Sequence, residues 1–458
     1  MVVLPYTVAF LLLSFLQTVK IANSQSFIGI SYGQVGDNLP PPSSTAKLLQ
    51  STSIQKVRLY GSDPAIIKAL ANTGIGIVIG TANGDIPGLA SDPDFAKSWI
   101  NTNVLPFYPA SNIILITVGN EVMTSNDQNL MNKLLPAMQN VQNALNDASL
   151  GGKIKVSTVH SMGVLKQSEP PSSGSFDPSY RDLMKGLLEF NSANGSPFAI
   201  NPYPYFAYRS DTRPETLAFC LFQPNAGRID GNTKIKYMNM FDAQWFNQLQ
   251  VDAVYSARNS MGFKNVEIVV AETGWPFKGD DTDVGPSIEN AKAYNGNLIA
   301  HLRSMVGTPL MPGKSVDTYL FALYDEDLKP GPGSERLSGL FKTDLTMIYD
   351  AGLSTSNQTQ SPAASPQPSP TTTTTTTTTS NNNSSTSTST STGTGTSTST
   401  GTGTNTISIN ICSSNNNSSS SSSSDINKVY LIKIFNLGLL YGFTRLSLIC
   451  LFFYYLQT

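Results

Sequence analysis

The chain has 458 residues, only 13 % of them charged, and a net charge of −2. A chain with no basic stripe gives nucleic acid no electrostatic footing, which excludes it as a partner. The first ~350 residues have ordinary globular composition, enough for one large core or an eightfold α/β barrel.

Residues 1–24 predict a secretory signal peptide. Phe10–Leu16 is an apolar stretch too short to span a bilayer, and Ala22-Asn23-Ser24 puts small residues before a cleavage at Gln25. No positive side chain opens the segment, which leaves the cleavage point open. Secretion permits disulfides, but Cys220, Cys412 and Cys450 are too few and too scattered for a framework. Cys220 is expected to be a buried apolar residue.

Residues 25–350 predict one domain. Eight short apolar, β-branched-rich runs follow in order: Phe27–Tyr32, Lys56–Tyr60, Gly76–Gly80, Ile113–Val118, Ile154–Thr158, Phe198–Asn201, Val266–Ala271 and Thr318–Leu323. Helix-compatible stretches lie between them at Pro64–Ala71, Asp94–Ile100, Gln128–Ala144, Tyr180–Phe190, Phe241–Met261 and Pro286–Met305. Strands alternating with helices imply βα units and a parallel sheet, and eight of them predict a (β/α)8 TIM barrel.

Residues 351–425 are mostly Ser, Thr, Asn, Gly and Pro, with a threonine homopolymer at 371–379. Such sequence cannot bury enough apolar surface to offset its ordering entropy, and predicts a disordered, O-glycosylated stalk. N-glycosylation sequons begin at Asn194, Asn357, Asn382, Asn383, Asn416 and Asn417. Residues 426–458 turn apolar again, ending in Leu446–Leu456. Small residues, a spacer and a terminal apolar tail form the pattern of a GPI-attachment signal. Lys433, Asn436 and Arg445 interrupt it. A membrane span is the alternative; there Arg445 would cost about 2.5–3.5 kcal/mol.

In this barrel the C-terminal strand ends face the active site. Glu121, in "ITVGNEV", ends the fourth run and Glu272, in "VVAETGWP", ends the seventh. Two carboxylates on opposite sides of one mouth suit glycoside hydrolysis, one as acid and one as nucleophile. The acid needs surroundings that raise its pKa; the nucleophile needs donors or a cation. Lys329 is a candidate cation, and Asn120 is placed to hydrogen-bond a sugar hydroxyl. Tyr32, Tyr203, Tyr205, Phe206, Trp275, Phe277, Phe321 and Tyr324 gather at the same expected rim. Aromatic faces suit the C–H faces of sugars. Trp275, beside the acid, is expected to touch sugar, whereas Phe321 could equally be core.

The chain has two histidines, His160 and His301, no HExxH, no CxxC and no phosphate loop, so neither metal nor cofactor is expected. His160 follows the fifth strand, where it could reach the mouth. His301 is expected on the barrel's outside. "GISYG", residues 29–33, matches the G-x-S-x-G nucleophile elbow, but that motif needs an immediate helix, and three prolines soon after argue against one.

From Ser26 to about Tyr349 the sequence closely resembles the plant members of glycoside hydrolase family 17, the glucan endo-1,3-β-glucosidases. The matching blocks are "IGISYGQVGDNLPPP", "VRLYGSDPAIIKALANTGIGIVIGTAN", "VGNEV", "NPYPYFAY", "VVAETGWP" and "YLFALYDEDLKPGPGSERLSGLF". The resemblance implies a (β/α)8 barrel and retaining, internal cleavage of β-1,3-glucan. Glu272 would be the nucleophile and Glu121 the acid/base. Glu326, Lys329 and Glu335 match an auxiliary charged cluster, and Tyr32 matches a tyrosine of the cleft. Phe277 departs from the small hydroxyl or Asn usual after Trp-Pro, and the Cys-rich carbohydrate-binding module of many relatives is replaced by the stalk. Mixed-linkage 1,3-1,4-β-glucan as substrate, or a non-catalytic glucan-binding wall protein, are the alternatives. A secreted monomer at the cell wall or the outer face of the plasma membrane, held by a GPI anchor, is the expected setting.

Overall fold

The computed structural model describes residues 27–243 and 251–355. The signal peptide, the GPI-signal tail, Cys412, Cys450 and nearly all of the stalk lie outside the described residues, as do the sequons from Asn357 onward. Eight parallel strands close into a barrel: β1 (Ile28–Tyr32), β2 (Lys56–Leu59), β3 (Gly76–Thr81), β4 (Ile113–Asn120), β5 (Lys155–Ser161), β6 (Phe198–Asn201), β7 (Ile268–Thr273) and β8 (Asp317–Leu320). Each pairs with its chain neighbours, and β1 closes on β8 with Ile28 opposite Thr318 and Ile30 opposite Leu320. All eight expected runs are strands of this barrel. The ends shift: β4 and β7 each run two residues further than expected, so Glu272 lies inside β7 rather than past it.

The strands are apolar on both faces because both are covered. Outward residues such as Ile30, Val57, Ile77 and Ile116 pack under the helices. Inward residues Phe27, Val78, Leu115, Val269 and Tyr319 fill the lower barrel, with Val159, Ala199 and Ala271 forming a smaller apolar cluster.

Helices form where the sequence supplies an entry. Asp63, Asp127 and Ser287 cap those at Pro64–Ala69, Gln128–Asp147 and Ile288–Arg303 through side-chain bonds to backbone N–H groups. Such caps contribute about 1 kcal/mol each. The helix Pro42–Gln50 corrects an expectation: the three prolines do not prevent a helix, because Pro42 sits at its first position, where a missing N–H costs nothing. The expected helix 241–261 is seen as Val251–Ser260; Phe241–Ala243 is a turn, and 244–250 lies outside the described residues. Cys220 is fully buried, as expected.

Candidate active site

β4 and β7 deliver the two carboxylates to one cavity of about 610 Å³ at the C-terminal end of the barrel, lined also by Tyr203, Phe206, Phe321 and Lys329. A wider depression of about 750 Å³ opens among the N-terminal strand ends, beside Phe27, Lys56 and Asp317. It has no pair of opposed carboxylates and lies where this fold does not carry chemistry.

Glu121 follows β4 directly, with φ 56° in the left-handed region. That uncommon backbone for a non-glycine residue is pinned on both sides. Its N–H donates to Val159 O at 2.8 Å. The preceding Asn120 is clamped by Asn83, whose Oδ1 accepts the Asn120 N–H at 2.8 Å and whose Nδ2 donates to Asn120 O at 3.1 Å. Strain kept by such over-determination is common where a side chain must be aimed. The Glu121 carboxylate accepts one side-chain bond, from Asn201 Nδ2 at 2.7 Å. Burial raises its pKa, the negative charge of Glu272 raises it further, and Asn201 and Arg58 offset only part of this.

Glu272 has different surroundings. Its Oε1 accepts from Arg58 Nη1 at 2.5 Å and its Oε2 from the Tyr203 hydroxyl at 2.8 Å. Burial and the nearby Glu272 charge push the Tyr203 phenol well up, so it stays a donor. Arg58, 1 % exposed, also donates to Ala271 O at 3.2 Å and Asn120 Oδ1 at 2.8 Å, and its guanidinium lies 4.4 Å from the Tyr60 ring centre. One carboxylate is thus buried and held by a cation and a phenol; the other is half-buried and meets one amide. The two carboxylates therefore differ in their partners, and burial and the neighbouring carboxylate raise the pKa of Glu121.

The other expected residues divide clearly. Asn120, Tyr203, Tyr205, Phe206 and Phe321 line the cavity, and so do Glu326, Lys329 and Glu335. The Asn120 side-chain oxygen is occupied by Arg58 rather than left for a sugar. Lys329 is not the cation on Glu272: its Nζ lies 3.6 Å from Glu335 Oε2 and 4.7 Å from the Phe321 ring centre. Glu326 is 5 % exposed and its Oε1 accepts the Val35 N–H at 3.1 Å, making it a staple for the β1 loop. A Cβ on Gly33 would stand 2.1 Å from the Glu326 carboxyl carbon, so only glycine lets that loop approach.

Trp275 and Tyr32 correct expectations. Side chains alternate across a strand. Glu272 and Gly274 face the cavity; Thr273 and Trp275 therefore face the helices. Trp275 is wholly buried, its Nε1 donates to Gly285 O at 2.9 Å, and its ring packs on Tyr205, Tyr208 and Tyr294. Tyr32 is likewise outward, edge-on to Tyr324 at 5.6 Å. Phe277 is half-buried against the core. His160 does not reach the mouth: it stacks on Phe198 at 4.5 Å, and burial pushes its pKa down to about 3. His301 lies outside the barrel, Nε2 3.1 Å from Asp242 Oδ1. Ser31 is fully buried in β1 with no helix directly after it, which removes the nucleophile-elbow alternative.

Sequence reasoning missed Arg58, Asn201 and Asn83. Arg58 carried a usable signal. In "KVRLY" it alternates with the outward Val57 and Leu59, and a charged residue facing into a barrel needs a partner there.

A closed (β/α)8 barrel with two unlike carboxylates in an aromatic-lined cavity defines a glycoside hydrolase. The chain belongs to the glycosyl hydrolases family 17, whose family model matches residues 28–352. It is 71 % identical over 355 residues to glucan endo-1,3-beta-glucosidase 7 of Arabidopsis thaliana, covering 77 % of this chain and 69 % of that one. It is 65 % identical over 349 residues to a glucan endo-1,3-beta-D-glucosidase of Olea europaea, covering 76 % and 75 %. Among solved structures, a beta-1,3-glucanase and allergen of Cryptomeria japonica pollen superposes with a TM-score of 0.67 at 40 % identity, covering 72 % of this chain and 99 % of that one.

Proposed function

We propose that the protein hydrolyses internal β-1,3-glucosidic bonds of β-1,3-glucan by double displacement, with Glu272 as nucleophile and Glu121 as acid and then base. The supporting observation is the unlike surroundings of the two carboxylates in one cavity. The relatives' names supply the substrate class.

In the first step Glu121 gives its proton to the glycosidic oxygen as the bond to the leaving chain breaks. Glu272 Oε attacks the anomeric carbon, forming a glycosyl ester. Glu121, now ionised, takes a proton from water, whose oxygen attacks the same carbon and releases Glu272. Two inversions leave the β configuration unchanged. Arg58 and Tyr203 hold one oxygen each of Glu272 and so aim the carboxylate at the anomeric carbon. The aromatic wall of Phe206 and Phe321 offers faces to sugar C–H groups.

Product analysis on linear β-1,3-glucan, mixed-linkage glucan and cellulose, with anomeric configuration followed by NMR, tests this. The expected result is cleavage of the first with β-configured products. Cleavage confined to mixed-linkage chains, α-configured first products, or binding of β-1,3-glucan without cleavage would each overturn it.

The remaining segments support a setting of the same kind. Residues 1–24 act as the export signal, 351–425 as a glycosylated spacer, and 426–458 as the signal for a GPI anchor at the outer face of the plasma membrane. Release from cell membranes by a phosphatidylinositol-specific phospholipase C is expected; retention after that treatment would rule out the anchor.

A further inference from the structure

Backbone pairing between β3 and β4 ends with Thr81 opposite Val118. Beyond that pair, side chains of β3 and of the loop after it continue the ladder. Thr81 Oγ1 accepts the Gly119 N–H at 3.3 Å, and the Asn83 amide meets both backbone groups of Asn120. A side-chain amide carries the same C=O and N–H as a peptide. Asn83 thus stands where a further residue of β3 would pair. On the other side, Asn120 lies opposite Val159 of β5 after a shift of register, and the Glu121 N–H donates to Val159 O.

This bracket sits where the backbone enters the left-handed region twice, at Gly119 (φ 68°) and at Glu121 (φ 56°). The approach of Asn83 needs the glycine, since a Cβ on Gly119 would stand 2.7 Å from Asn83 Oδ1. Asn83 is itself fixed by the turn 83–85, where the Ala82 N–H donates to Asp85 Oδ2 at 3.1 Å and the Asp85 N–H donates to Ala82 O at 3.0 Å. Asn83 is not among the residues lining the cavity, so its effect on the reaction must run through Asn120 and Glu121. A left-handed residue other than glycine relaxes to ordinary backbone unless its surroundings forbid it. Relaxation here would swing the Glu121 carboxyl away from the glycosidic oxygen. We infer that Asn83 is a positioning residue for the general acid: its amide fixes the peptide before Glu121 and thereby the direction of proton delivery. This rests on the acid role proposed for Glu121.

The test uses kcat/KM, which reports the first covalent step, on two substrates. In β-1,3-glucan the leaving chain needs a proton; in an activated aryl glycoside the leaving group does not. Asn83→Ala is expected to lose about ten- to a hundredfold on the polymer, the scale of a misaimed catalytic group, and less than about threefold on the aryl glycoside. Asn83→Asp offers a second readout. Ionised, its carboxylate accepts the Asn120 N–H but has nothing to donate to Asn120 O; protonated, it does both. Its polymer kcat/KM relative to wild type should therefore recover as pH falls, whereas that of Asn83→Ala should not. This variant carries the test if Asn83→Ala does not fold. Equal losses on both substrates, no loss on either, or an Asn83→Asp ratio flat with pH would overturn the inference. Glu121→Gln, measured alongside, should show the same split between substrates more strongly; its absence there would instead remove the acid assignment on which the inference rests.

Discussion

Arg58 and Glu272 are 214 residues apart in the chain, yet barrel closure sets Nη1 of one 2.5 Å from Oε1 of the other. Their side chains are 2 % and 10 % exposed. A carboxylate this dry needs a partner to stay charged, and a guanidinium this dry needs several acceptors. Arg58 finds them in Glu272, Ala271 O and Asn120 Oδ1, so one side chain ties the end of β7 to the end of β4.

Replacing Arg58 by Met should therefore affect both turnover and stability. Removing one member of a buried ion pair costs about 3–5 kcal/mol, because the other is left uncompensated. Denaturant unfolding of Arg58→Met should show a loss of that order, with kcat on β-1,3-glucan lowered about a hundredfold or more. Arg58→Lys should recover part of the stability but less of the rate, since a point charge cannot bridge three acceptors. Wild-type stability together with wild-type turnover in Arg58→Met would refute this role.

The carboxylates can be told apart by leaving group. Glu272→Gln should abolish turnover of every substrate while the fold persists, because the amide oxygen still accepts from Arg58. Glu121→Gln should lower polymer hydrolysis by about 10²–10⁴, the usual range for general acid catalysis. On an activated aryl glycoside, which leaves without a proton, the first step should be largely rescued in Glu121→Gln and not in Glu272→Gln. Equal rescue in both, or near-normal polymer activity in either, would reverse or remove the assignment.

The pH profile follows from the raised pKa of Glu121, caused by burial and then by Glu272. A raised pKa keeps the acid protonated to higher pH, so kcat/KM falls on the alkaline side as pH passes through that value. For stability, the folded state holds this proton more tightly than the unfolded chain does. Its contribution is complete below the ordinary carboxyl value of 4.5 and is lost as pH rises through the folded pKa. Asn201 opposes the shift by donating to the carboxylate. Asn201→Ala should accordingly move the alkaline limb of kcat/KM to higher pH. A limb that moves down, or stays fixed, would mean that it reports another group.

The barrel was legible because each strand is a short apolar run set off by polar, Gly- or Pro-bearing sequence, and because eight such runs leave few closures. Glu121 and Glu272 were legible from their positions at strand ends. What was not legible lies in two places. Some of it was parity: Trp275 was placed by nearness to Glu272 and Tyr32 by its strand end and its family resemblance, although alternation from Glu272 and Ser31 turns both toward the helices. Arg58 was missed through the same neglect. The rest is long-range. Glu326 meets Val35 across 291 residues, and Asp280 Oδ2 accepts the Gly333 N–H at 2.8 Å across 53. Nothing local in "DEDLKPGPGSER" distinguishes a carboxylate that staples a loop from one that faces a substrate.

Trp275 gives that distinction an experimental form. If it touched sugar, Trp275→Phe would raise KM for β-1,3-glucan and leave stability almost unchanged. Its placement predicts the reverse. The indole fills space between Tyr205, Tyr208 and Tyr294, and its N–H satisfies Gly285 O. Phenylalanine leaves part of that volume empty and removes one of the two bonds to the carbonyl, which keeps Asn290 Nδ2 as donor at 2.9 Å, at a cost of about 1–3 kcal/mol. Thermal unfolding of Trp275→Phe should therefore occur at a clearly lower temperature, with KM within about twofold of wild type at a temperature where both proteins are folded. Weaker substrate binding with an unchanged unfolding temperature would put the indole back in the cleft.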